Sequence, residues 1–231
     1  MRGKVVCLTH DEAVHFLLPR HYSGRIPVIQ HAFGWEIDGE LKAVVTFGKP
    51  ASQYLCRGVC GEEWAQNVIE LNRLCRTEDL QEPLSSFVGA CLRRLRPYNY
   101  IVVSYSDTQM HHNGYIYQAC NFLYTGCTKE RTDIYTGYGK HPRHYTQEDR
   151  DNPIRQVRSA KHRYIYFCTH SNQLKRKWRD LLNYPVVDYP KGENEHYTLG
   201  DYIKPLLVNT ATGNLVLDPY GQMHNNQNGQ R

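Results

Sequence analysis

Residues 98–126 read YNYIVVSYSDTQMHHNGYIYQACNFLYTG, and this stretch decides the fold. Its first ten residues form an apolar and aromatic run that turns polar at Ser104, Ser106 and Asp107. That is the pattern of a buried strand surfacing at its C-terminal end. A polar turn carrying His111 and His112 follows, and the spacing of apolar residues in NGYIYQACNFL predicts a helix. Asn121 tolerates left-handed backbone and suits the end of that helix. Strand, turn and helix in succession belong to a crossover unit, so the sheet is mixed and flanked by helices. The C-terminal ends of such strands are where α/β sheets collect chemistry.

Upstream, NVIELNRLCR reads as a strand. A helix follows it: Pro83 suits a first helical position, and Phe87, Val88, Cys91, Leu92 and Leu95 recur at spacings of three and four. GWEIDGELKAVVTFGKP reads as two strands turning at Asp38-Gly39, a strong hairpin signal. KVVCL at 4–8 is a short strand, and 11–18 a brief helix. Downstream, TDIYT and RYIYFC are strands separated by a polar insertion from Gly137 to Lys161, and LKRKWRDLL is a late helix. From about Pro205 the periodicity disappears. The expectation is one domain over residues 1–204, with a basic insertion at 137–161, followed by a mobile tail at 205–231.

Charge is distributed unevenly. The chain carries +5, yet residues 129–179 hold 13 Lys and Arg against 5 Asp and Glu, a local +8 that leaves −3 elsewhere. Bases interleaved with Tyr and His over that length fit a phosphate-binding surface, whereas the run QLKRKWRDLL alone also fits a solvated helix face. The 18 Tyr against 6 Phe favour surfaces that are part apolar and part wet, including base-stacking ones. No apolar run reaches the roughly 18 residues of a membrane span, and the N-terminus has no signal-peptide pattern. Eight scattered cysteines, most within apolar runs, read as reduced thiols of a cytosolic protein. Cys56 and Cys60 have a spacing two metal ligands could use, but no second pair follows at finger-like distance.

Three segments carry candidate chemistry. Asp107, where the apolar strand ends, either caps the following turn or accepts hydrogen bonds and protons from a substrate amine. Tyr117, followed by Phe122 five residues on, resembles the tyrosine near the end of the last helix in acetyltransferases, which often serves as general acid to a leaving group; Tyr117 either does the same or packs. RHYSGR at 20–25 crowds His21, Tyr22 and Arg25 into a loop with no core-packing reason to carry them. His111 and His112 follow Asp107 closely enough to line the rim of the same site.

The order of elements resembles that of the GNAT acetyltransferases, in which two central strands splay apart and the substrates meet in the gap. This implies a GNAT-like mixed, splayed central sheet flanked by helices, with a basic C-terminal extension, the gap lying between 68–74 and 100–106. HYSGR (21–25), GKPAS (48–52), ELNRLC (70–75), SYSDTQ with GYIYQACNFLYTG (104–126) and KHRYIYF (161–167) together resemble the Mom family of phage DNA-modification proteins. The resemblance implies placement of a carbamoylmethyl group on the exocyclic amine of adenine in double-stranded phage DNA, in the bacterial cytosol, hiding sites from host restriction. It implies His21, Tyr22, Asp107 and Tyr117 as catalytic positions. It also implies iron as a cofactor, with His21, Tyr22 and Asp107 as its ligands. Arg25, Lys49, Arg73, Lys140, Arg143, Arg158, Lys161 and Arg163 are the basic groups expected on DNA.

Where acetyltransferases cradle the CoA pyrophosphate with a Gly-rich loop, this chain has RTEDLQEPLSSF, with no Gly and with Glu78, Asp79 and Glu82. Acetyl-CoA is therefore not expected to bind in the usual manner, and Ser85 and Ser86 remain as donors to some other anion. The competing readings are a CoA-dependent N-acetyltransferase of a protein, tRNA or small amine, and a DNA-binding protein without activity.

Overall fold

A computed structural model describes residues 3–21, 26–137, 144–192 and 205–217. The chain divides into two compact units. The first comprises residues 1–128 and 161–200, the second 129–160 and 201–231.

The first unit is built on seven strands: β1 (Lys4–Cys7), β2 (His31–Ile37), β3 (Glu40–Gly48), β4 (Val68–Arg76), β5 (Tyr100–Asp107), β6 (Leu123–Cys127) and β9 (Lys161–Cys168). They lie in the order β1-β2-β3-β4-β5-β9-β6, antiparallel throughout except for the parallel pair β4–β5. The β2–β3 hairpin turns at Asp38 and Gly39, with φ of 52° and 85°, as the sequence predicts. The helices are α1 (His10–Leu17), α2 (Gln53–Cys60), α3 (Leu84–Leu95), α4 (Tyr115–Ala119) and α6 (Asn172–Asp180). Helix α1 starts at a Thr9–Glu12 capping box. This is the GNAT-like mixed sheet the sequence led us to expect.

Two cores sandwich the middle of the sheet. On one face Trp35, Phe47, Leu71 and Val102 pack with Phe87, Val88, Cys91 and Leu92 of α3. On the other, Val68, Ile101, Val103 and Ile165 pack with Cys56 and Val59 of α2 and Trp178 of α6. Helix α2 has no counterpart among the elements read from the sequence, and it explains the Cys56–Cys60 pair. Both thiols are buried and one turn apart, and Cys60 donates to the Trp178 carbonyl at 3.4 Å.

Several expectations change in detail. Pro83 is the cap preceding α3 rather than its first residue. Helix α4 has only five residues, fenced by Gly114 (φ 68°) and Asn121 (φ 59°). Gly114 is required there, since a Cβ would lie 2.4 Å from the Tyr164 ring. In the second unit, β7 (Arg131–Ile134), β8 (Ile154–Arg158), β10 (Leu207–Asn209) and β11 (Leu215–Val216) form an antiparallel sheet in the order β11-β10-β8-β7, with the short helix α5 (Gln147–Asp151). The polar insertion thus contains a helix and a strand, and part of the stretch read as a tail supplies two more strands. Short, polar strands carry too few apolar residues to display a period of two.

Candidate active site

The β4–β5 ladder joins only Val68–Leu71 to Ile101–Ser104. Both strands then run on, to Arg76 and Asp107, without pairing to each other. Ser104 marks the last rung, its hydroxyl donating to the Leu71 carbonyl at 2.9 Å. A bulge fixes what β4 presents beyond this point. Thr46 pairs with Arg73 and Phe47 with Leu71, so Asn72 is the extra residue. It is held by Thr46 Oγ1, which donates to its Oδ1 at 2.7 Å, and by its own donation to the Val28 carbonyl at 2.8 Å. The bulge rephases the strand. Leu71 and Leu74 both face the α3-side core, leaving Glu70 and Arg73 together on the other face.

Glu70 is the group that sequence reading missed. It lies deep at the opening, with no hydrogen bond or ion pair among the described residues. Burial pushes its carboxyl above the ordinary range, and Arg73 and Lys161 oppose that shift only in part. Tyr117 of α4 faces the same opening. Its hydroxyl hydrogen-bonds Ser104, its ring leans on Phe122 and Tyr164 with centroids 5.4 and 5.2 Å away, and burial pushes its pKa up to about 12. The Glu70 charge reinforces that rise, which places the two groups within electrostatic reach of each other. An acid flanked by apolar neighbours within VIELNRL was the available sequence signal.

Asp107 is the cap of the turn Thr108–Met110. Its Oδ1 accepts the Gln109 N–H at 3.0 Å, and its Oδ2 accepts Lys161 Nζ at 2.5 Å. Both readings offered by the sequence touch this residue, and the capping role occupies one of its two oxygens. The His112 N–H donates to the Asp107 carbonyl at 3.1 Å, closing the turn. His21 stands within the electrostatic reach of His112 and of Arg73. Burial first, then those two charges, lowers its pKa to about 3, so its ring is neutral at physiological pH and a weak base. His21 therefore lies within electrostatic reach of the β4–β5 opening. Tyr22 and Arg25 lie outside the described residues, as do Lys140 and Arg143.

Of the remaining basic residues, several are engaged within the protein. Lys49 donates to the carbonyls of Ala65 and Gln66 at 2.8 and 3.1 Å. Arg158 pairs with Asp133 at 2.8 Å in the second unit. Arg163 donates to Thr125 Oγ1 and carbonyl at 2.9 and 3.1 Å, with its guanidinium 3.4 Å from the centre of the Tyr184 ring. Arg73 donates to the Asn72 carbonyl at 2.6 Å and stands at the opening beside Glu70. Ser85 is half-buried and Ser86 exposed in the first turn of α3. Ahead of them, Asp79 is tied to Lys42 at 2.7 Å.

The described members of the implied iron set do not fit a cation as arranged. Lys161 neutralises the Asp107 carboxylate, and the Arg73 guanidinium faces His21. Among the described residues no three His, Cys, Asp or Glu side chains converge as metal ligands. Among them, too, no helix is long and apolar enough to cross a membrane.

A mixed sheet opened between two parallel central strands, with acid, phenol and cations gathered at the opening, is an acetyltransferase-like fold. The chain belongs to the Mom protein family, matching it over residues 4–191, which links it to phage DNA modification. Solved structures similar in fold include an N-acetyltransferase from Staphylococcus aureus, 11% identical, covering 73% of this chain and 100% of its own, with a TM-score of 0.46. An acetyltransferase from Bacillus subtilis in complex with CoA is 16% identical, with coverages of 72% and 97% and a TM-score of 0.41. A putative acetyltransferase from Salmonella typhimurium with acetyl-CoA is 8% identical, with coverages of 73% and 95% and a TM-score of 0.45. No curated protein matches the sequence significantly.

Proposed function

We propose that the protein transfers a carbamoylmethyl group to the exocyclic amine of adenine in double-stranded phage DNA, in the bacterial cytosol, and so shields the DNA from host restriction. The observation that carries this reading is Glu70, half-buried and with no hydrogen bond or ion pair among the described residues, within electrostatic reach of Tyr117 at the β4–β5 opening of a Mom-family chain.

An adenine amine is a feeble nucleophile and is hidden in the base pair, so the base must first leave the stack, at a cost of a few kcal/mol. The amine nitrogen then attacks the electrophilic carbon of the donor. The N–C bond forms, the bond to the leaving group breaks, and the nitrogen sheds one proton. Glu70 takes that proton, its raised pKa bringing it nearer to the operating pH of a general base. Tyr117, kept protonated by burial, gives its hydroxyl proton to the leaving group. Asp107 holds Lys161 and the His112 turn in place, and neutral His21 orients the base by hydrogen bonding. Tyr22 stacks on the extruded ring.

The three acids ahead of α3 disfavour a pyrophosphate, so the donor sits without a CoA-type cradle, with Ser85 and Ser86 offering it hydrogen bonds. Phosphates of the DNA meet the basic segment 129–179, and Lys140, Arg143 and Arg25 contribute to holding them.

Mass spectrometry of nucleosides from bacteria expressing the protein tests the reading. The wild type yields a carbamoylmethylated deoxyadenosine, and Glu70→Gln yields none while remaining soluble and able to bind DNA. Unmodified adenine from well-expressed wild-type protein overturns the proposed reaction, and full activity in Glu70→Gln overturns the role of that residue.

A further inference from the structure

A second cluster lies across the sheet edge, where β6 meets β9, and the transfer reaction does not use it. Tyr124 Oη stands 2.8 Å from His162 Nδ1, Cys127 Sγ stands 3.0 Å from the same nitrogen, and oxygen and sulfur are 3.6 Å apart. The backbone is shaped to bring them together. Residues three apart on a regular strand point to opposite faces, but the β6–β9 register breaks between Tyr124 and Cys127. Gly126, with φ of 82°, carries the irregularity and swings Cys127 onto the face of Tyr124 and His162. The row continues into β5. Ser106 pairs directly with His162, is 4% exposed, and its hydroxyl has no hydrogen-bond partner among the described residues.

The three groups satisfy one another, with the Cys127 S–H able to donate to Tyr124 Oη and the Tyr124 O–H to His162 Nδ1, so three ligand-type atoms converge on one point. A cation seated between them takes all three as ligands. Sulfur, imidazole nitrogen and oxygen around a tetrahedral zinc lie about 3.3–3.6 Å from one another. The observed separations approach this, and a shift of about 0.5 Å in the His162 ring completes it. Cys127 is exposed, which leaves an entry path and a fourth position for water.

We infer that Cys127, His162 and Tyr124 form a binding site for one soft divalent transition-metal ion of the zinc type, clasping the edge strand β6 to β9 where their ladder is interrupted. Cys127 and His162 are the two strong ligands, and Tyr124 contributes a weaker oxygen. The thiol releases its proton to solvent as the ion binds.

The test is a titration of the metal-free full chain with Co²⁺ and Zn²⁺. One Co²⁺ per chain with a near-ultraviolet thiolate charge-transfer band is expected. The band disappears in Cys127→Ser. Affinity drops at least tenfold in His162→Gln and only a few-fold in Tyr124→Phe. Saturating Zn²⁺ raises the melting temperature of the wild type and leaves that of Cys127→Ser unchanged. Cys127 is exposed, so its Ser variant folds, and an unaltered metal-free melt verifies this. Absence of the band at stoichiometric Co²⁺, or its persistence in Cys127→Ser with Cys7 as the responsible thiol, overturns the site. These readouts are independent of DNA modification and stand or fall without it.

Discussion

Glu70 and Asp107 are carboxylates on adjacent strands, and their surroundings have sorted them into different work. Asp107 sits where β5 ends, one oxygen on the Gln109 amide and the other on Lys161. Glu70 is the third of the nine residues of β4, half-buried and with no hydrogen bond or ion pair among the described residues, its pKa raised by burial. A carboxylate whose lone pairs are satisfied stabilises structure. One left unsatisfied at an opening between strands is costly to the fold and ready to accept a proton.

The sharpest way to break this contrast is Glu70→Gln. The expected loss of modification is about 100-fold or more, in the range of a removed general base. Stability should move the other way. A carboxyl with a raised folded pKa resists ionisation, so the wild type loses stability as pH rises from the unfolded value near 4.5 through the folded one. Glu70→Gln should therefore melt higher than wild type at pH 8, with the difference vanishing near pH 4. Equal melting temperatures at both pH values would mean that Glu70 is not held in a desolvated place.

Asp107→Asn comes next. Asn keeps the capping oxygen and loses the charge facing Lys161. Activity should fall about tenfold, with stability lowered by up to about 1 kcal/mol, as for one partly exposed ion pair. A loss as deep as that of Glu70→Gln would exchange the roles of the two acids. Tyr117→Phe should reduce turnover by a similar factor. In the wild type the alkaline limb of the pH profile should not reflect Tyr117 ionisation below about pH 12, because burial holds the hydroxyl protonated. His21 carries the opposite sign from Glu70. Its folded pKa, about 3, lies below the unfolded 6.5, so its neutral form supports the fold above pH 6.5 and that support is lost as pH falls toward 3. Replacing it with Gln should flatten the acid side of the melting profile.

The contrast also shows what the sequence could display. Asp107 was legible because strand-end polarity is visible in one dimension: IVVSYSD changes character where the strand surfaces. The Asp38-Gly39 turn, the α3 periodicity and the apolar strands were legible for the same reason. Glu70 was not, because its meaning depends on a bulge at Asn72 that changes the face of every residue after it, and on the early end of the β4–β5 ladder. Neither leaves a compositional trace. The cluster at His162 was hidden likewise by a bulge at Gly126. Positive charge misled in another way. A count of bases over 129–179 cannot distinguish Arg163, whose guanidinium is spent on Thr125 and the Tyr184 ring, from a base that faces solvent.

Arg163 provides the smallest and most discriminating effect. If its guanidinium serves the fold, Arg163→Ala loses two hydrogen bonds to Thr125 and a cation–π contact, about 1–2 kcal/mol of stability, by an effect local to the β6–β9 edge. DNA affinity, measured at several salt concentrations, should keep the slope of the wild type, because each phosphate neutralised contributes about 0.9 to that slope and none is lost. Reversing a base that does touch phosphate lowers the slope by about one. A slope reduced by one in Arg163→Ala, with an unchanged melting temperature, would return this residue to the DNA surface. It would then be the interior contacts around Thr125 that required another explanation.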